Sequence, residues 1–83
     1  MKFVMNHCNV NVRDLEKSVK FYQEAFGLEI VRTHEPEDKS FKLVFLEDAN
    51  HFWRLELTWL RDRTEPYNLG DNEIHLAVRV EDK

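Results

Sequence analysis

The chain has 83 residues, with 12 lysines and arginines against 16 acidic residues, a net charge of −4 and one cysteine. That length holds at most one small domain, burying only about 60–65% of its unfolded surface. The scattered cations exclude a phosphate-tracking nucleic-acid surface, and the lone Cys8 excludes an intrachain disulfide. No apolar run approaches the roughly 18–20 residues of a membrane span, so no membrane partner is expected. The opening Met-Lys-Phe-Val-Met-Asn-His lacks the apolar core of a signal peptide. Together with the cysteine usage this predicts a cytoplasmic protein in a reducing compartment.

The first strand is predicted over about residues 2–12. One face carries Phe3, Met5, His7, Asn9 and Asn11, the other Val4, Asn6, Cys8, Val10 and Val12. Cys8 therefore reads as a buried, inert thiol. A helix follows, with Asp14 as N-cap and Leu15, Val19, Tyr22 and Phe26 as its buried stripe. Gly27 ends it, because glycine tolerates the left-handed conformation after a helix. Leu28 to Thr33 read as a second strand, residues 35–39 as a turn, and Phe41 to Leu46 as a third strand. The fourth strand, about residues 52–60, sets Trp53, Leu55, Leu57 and Trp59 on one face and Arg54, Glu56 and Thr58 on the other. Both tryptophans are expected to pack beneath the sheet against the helix stripe.

The unit is therefore α+β, a βαβββ module over residues 1–60, followed by a polar linker over 61–72. Residues 73–83 read as the first strand of an incomplete second module. Ile74, Leu76, Val78 and Val80 alternate there with Glu73, His75, Ala77 and Arg79, and Val80-Glu81-Asp82 parallels Val12-Arg13-Asp14. A repeat that begins and does not finish predicts a fragment, a split gene product or a partner that supplies the rest.

His7, Glu56 and His75 each fall in the middle of a predicted strand, opposite its apolar residues. Two imidazoles and a carboxylate from three strands can converge on one divalent cation. A polar residue on the solvent side of a strand is equally ordinary, and no short metal signature is present, so spacing leaves both readings open. His34 and His51 fall near predicted turns and read as solvated. Arg54 and Arg79 share the polar faces and read as solvated or ion-paired rather than anion-binding.

Several motifs occur in a telling order: His7 followed by Val10 and Val12, Ser18, Phe21-Tyr22, Phe26-Gly27-Leu28, Leu55-Glu56-Leu57-Thr58, and Gly70 with Ile74-His75-Leu76-Ala77-Val78. In these the chain resembles the vicinal oxygen chelate superfamily, and within it the glyoxalase I (lactoylglutathione lyase) family. The resemblance implies paired βαβββ modules whose sheets enclose nickel, cobalt or zinc, often across a homodimer. It makes His7, Glu56 and His75 metal ligands and Glu56 the candidate catalytic base. The implied reaction isomerises the hemithioacetal of methylglyoxal and glutathione, a small-molecule thiol adduct, to S-lactoylglutathione.

Three departures accompany the resemblance. The fourth ligand, a glutamate on the last strand of the second module, would lie beyond Lys83, which leaves the enzyme assignment of this chain open. An arginine that contacts glutathione would fall at Asn11, which cannot supply its charge, and an asparagine with a similar role would fall at Leu60. The alternatives are a metal-free module that binds a small molecule such as an antibiotic, and another metal-dependent epimerase or dioxygenase of the superfamily. A single four-stranded sheet cannot close a site, so His75 of one copy is expected to approach His7 and Glu56 of another.

Overall fold

Helix α1 (Leu15–Phe26) begins where its free amides meet an acceptor: the Asp14 carboxylate takes the Lys17 amide at 3.1 Å. It ends at Gly27, whose φ of 67° turns the chain so that its own amide reaches the Gln23 carbonyl at 3.0 Å. Both ends of the helix lie where the sequence predicts them. The structure, a computed structural model, describes residues 1–81.

Around the helix run β1 (His7–Val12), β2 (Glu29–His34), β3 (Phe41–Glu47) and β4 (Arg54–Leu60). They form one sheet in the order β1-β4-β3-β2. β1 pairs with β4 in parallel, while β2–β3 and β3–β4 are antiparallel. The mixed sheet with one helix is the α+β module that the period-two and period-3.6 patterns predict.

Register sorts the side chains into two faces. Leu55 and Leu57 of β4 stand opposite Leu46 and Val44 of β3, and these four form the fully buried core. Leu15, Val19 and Tyr22 from α1 pack on them, with Val12, Leu28 and Trp53. The other face carries His7, Asn9 and Asn11 of β1, opposite Arg54, Glu56 and Thr58 of β4. β2 joins that face by a bulge at Val31, since Ile30 pairs with Leu46 but Arg32 pairs with Phe45. The extra residue re-aims Arg32 and His34 onto the polar side.

Five expectations need correction. The first strand starts at His7 rather than near residue 2, because its partner β4 starts only at Arg54. Beyond that point His51 takes a left-handed φ of 58°, which breaks the ladder. Cys8 is exposed, not buried, because β1 is an edge strand whose outer flank the helix leaves uncovered. Phe26, in the last helical turn, is also exposed. It leans on Phe21 and Tyr22 rather than on the core. Trp53 packs on the core as expected, whereas Trp59 is half-buried and lies outside that cluster.

The fifth correction concerns the tail. Residues 73–81 form no strand, and among the described residues no backbone hydrogen bond ties them to the sheet. An alternating pattern fixes which face a strand would bury, but a strand exists only where a second backbone pairs with it. Leu76 and Val78 instead border a cavity of about 660 Å³ beside Tyr22, Phe26 and Trp53. Asp82, read as a cap for a second copy of the helix, lies outside the described residues.

Truncating Leu55 to alanine empties the centre of the core and should cost about 3 kcal/mol in denaturant unfolding. Cys8→Ala should change stability by less than about 0.5 kcal/mol. The Cys8 thiol should react with a thiol reagent in the folded protein, without denaturant; protection until unfolding would contradict its exposed position.

Candidate functional site

The parallel register brings together two of the three residues singled out from the sequence. His7 Nε2 lies 3.5 Å from Glu56 Oε1, although 49 positions separate them in the chain. The Glu56 side chain is only 14% exposed and His7 is 40% exposed. Among the described residues no hydrogen bond takes up the Glu56 carboxylate, so its oxygens keep free lone pairs.

His75 is not brought to this pair. It is exposed on the unpaired tail, and no three His, Cys, Asp or Glu side chains among the described residues cluster as a metal site would require.

The donor set nonetheless fits a divalent cation. Two ligands on one ion, with bonds of about 2.1 Å and a tetrahedral angle, stand about 3.4 Å apart. The observed separation matches that spacing better than a direct charge-assisted hydrogen bond, which would draw the atoms to about 2.8 Å. An imidazole nitrogen and a carboxylate oxygen suit nickel, cobalt or zinc alike.

The surroundings of the pair are built from residues that pattern alone does not reveal. His7 Nδ1 lies 2.6 Å from Asn6 Oδ1. The buried Phe45 ring meets the His7 ring edge-on, with centroids 5.5 Å apart. Arg32 and Arg54 approach the same phenyl ring at 5.8 and 5.9 Å. Farther along β1, Thr58 donates to Asn9 Oδ1 and Asn9 donates to Asn11 Oδ1 at 2.7 Å, a neutral ladder beside Glu56. The Asn9 link was findable from parity, since residues 9 and 7 share a face; the Asn6 link was not, since parity assigns residue 6 to the opposite side.

Arg54 is ion-paired, as one of its two sequence readings allows. Its Nε donates to Glu47 Oε2 at 2.6 Å, and His51 Nδ1 lies 2.7 Å from Glu47 Oε1. His51 is therefore not simply solvated: the turn at Asp48 returns its ring to the end of β3. These two partners, His51 first and Arg54 second, hold the Glu47 carboxyl below its ordinary value of 4.5. Among the described residues Arg79 pairs with Glu81, on the exposed tail.

A profile of the glyoxalase/bleomycin resistance protein/dioxygenase superfamily matches residues 4–82. The chain belongs to that superfamily. Curated relatives include a probable lactoylglutathione lyase of Vibrio parahaemolyticus, 37% identical over 92% of this chain and 56% of that protein. Another is the lactoylglutathione lyase of Haemophilus influenzae, 36% identical over 92% of this chain and 57% of the relative. The chain thus spans a little over half the length of these relatives. Among solved structures, the trypanothione-dependent glyoxalase I of Leishmania major superposes with a TM-score of 0.69 at 30% identity, covering 81% of this chain and 50% of that one. The methylmalonyl-CoA epimerase of Mycobacterium tuberculosis shares the fold, with a TM-score of 0.63 at 19% identity over 71% and 39% of the two chains. The glyoxalase I resemblance read from the ordered motifs is borne out, and so is the superfamily fold.

A carboxyl whose folded value is depressed stabilises the fold above its unfolded value and loses that contribution as pH falls. Glu47→Gln should therefore lower Tm at neutral pH. The gap to the wild type should close as pH drops below 4.5. A constant gap across that window in thermal melts would contradict the pairing with His51 and Arg54.

Proposed function

We propose that this chain is a glyoxalase I-like module whose His7 and Glu56 hold a divalent metal, with His75 of a second copy as the third ligand. The observation that carries the reading is the pair itself: an imidazole nitrogen and a nearly buried carboxylate 3.5 Å apart on the open face of the sheet, the carboxylate without a hydrogen bond among the described residues. The exposed His75, on a tail without a ladder, is sterically available to another copy. Nickel, cobalt and zinc all remain compatible with that donor set. The lyases among its relatives support the reaction class, an isomerising lyase acting on the methylglyoxal–glutathione hemithioacetal.

When bound, the cation would supply a Lewis acid that stabilises negative charge developing on substrate oxygen. The rest of the chemistry belongs to this chain. Glu56 would take the proton from the carbon that carries sulfur and return it to the neighbouring carbon, while the hydroxyl proton passes from the first carbon's oxygen to the second's, so that no atom is gained or lost. To do so the carboxylate would exchange its ligand role for the proton, and no hydrogen bond among the described residues would hold it back. Burial under the facing copy would exclude water from the reacting carbon. The neutral ladder of Asn9, Asn11 and Thr58 would orient the substrate without fixing a charge. Recognition of the thiol by an arginine at position 11 is not available, and the Leishmania relative, which is trypanothione-dependent, shows that the thiol partner varies within glyoxalase I proteins.

Metal content by mass spectrometry after nickel loading should give about one metal per completed site, lost in His7→Ala, Glu56→Ala and His75→Ala. Sedimentation should give a dimer. Glu56→Gln should lower kcat with methylglyoxal and glutathione by about 10²–10⁴-fold. A protein that binds no nickel, cobalt or zinc and yet binds a small ligand would instead be a metal-free binding module.

A further inference from the structure

We propose that Asn6 is a positioning residue that locks His7 in the Nδ1–H tautomer and so keeps the Nε2 lone pair aimed at Glu56. A neutral imidazole carries one N–H and one lone pair, and an amide oxygen can only accept. Asn6 Oδ1 lies 2.6 Å from His7 Nδ1, a contact that is a hydrogen bond only when Nδ1 carries the proton. The other end of the ring agrees. A proton on Nε2 would draw the Glu56 carboxylate in to about 2.8 Å, whereas Nε2 stands 3.5 Å from it.

Asn6 is able to act this way because its backbone is fixed independently of its side chain. The Arg54 amide donates to the Asn6 carbonyl at 3.0 Å, which anchors residue 6 to the first residue of β4. Asn6 precedes the regular strand, so its side chain is not bound by the alternation of β1 and can turn to the His7 ring. Phe45 stands edge-on to that ring, at an interplanar angle of 87°. Ring rotation is thus opposed by packing while Asn6 selects the proton position. A group that orients a ligating histidine through its second nitrogen commonly changes metal affinity by about 10–100-fold.

The affinity consequence rests on the metal reading of His7 and Glu56; the tautomer consequence does not. Nitrogen NMR of the ¹⁵N-histidine-labelled, metal-free chain should show His7 protonated on Nδ1. Asn6→Ala should shift the population toward Nε2–H, the form free histidine favours in water, and Asn6→Asp should restore Nδ1–H. Titration with nickel alone should show about 10–100-fold weaker binding in Asn6→Ala and near-wild-type binding in Asn6→Asp. Retention of the Nδ1–H form in Asn6→Ala overturns the proposal. A tautomer shift in a chain that binds no nickel leaves the lock standing and overturns the metal reading instead.

Discussion

The parallel pairing of β1 with β4 is the contact on which everything else depends. It joins segments at opposite ends of the module, and two parallel neighbours cannot be linked by a hairpin. The helix and two further strands lie between them, so the pairing has a loop-closure cost that local contacts do not offset. The buried residues on its helix side do: Leu55 and Leu57 face Cys8 and Val10 in register and bury against β3 and α1. A slip of one residue would turn His7 toward the helix and Cys8 toward Glu56. The apolar face thus fixes the register that the polar face uses, and the Arg54 amide bonded to Asn6 closes the ladder at its working end.

That dependence explains which parts of the molecule can be read from the chain. Helix ends are set by chemistry within a few residues, so Asp14 and Gly27 declare them directly. Faces are set by a period of two, so His7 and Glu56 could be placed on the polar side without knowing that they meet. Their meeting depends on strand order, which the pattern does not encode but the ordered motifs of the superfamily do. The bulge at Val31 is silent in the pattern, because no glycine or proline marks it, yet it decides that Arg32 rather than Val31 stands beside Phe45. Cys8 misleads for a related reason: alternation identifies its face, while its exposure follows from β1 being an edge. His51 misleads because its turn brings the ring back onto Glu47, a contact made four residues away and invisible to either period.

Phe45 links these pieces into one support. Its ring, 8% exposed, is touched by His7 on one side and approached by Arg32 and Arg54. Aromatic rings attract cations through their π faces and meet other rings through their edges. Arg54 is held in turn by Glu47, and Glu47 by His51, so a line of contacts runs from the β3–β4 turn to the His7 ring.

The tail and the site share one deficiency. Residues 73–81 carry strand alternation but no second backbone, and they leave Ile74, Val78 and Val80 exposed. Among the described residues the polar face carries the His7–Glu56 pair proposed as metal donors, but no third such side chain joins it. Both lacks would be met by the same event in the proposed assembly, because a strand that docks to bury Ile74 and Val78 on one side presents His75 on the other. Metal affinity and tail ordering would then be thermodynamically linked: whatever free energy the cation gains from the third imidazole appears as free energy for ordering the strand. In the proposed assembly the open sheet face and the unpaired tail would be completed by one and the same backbone partner.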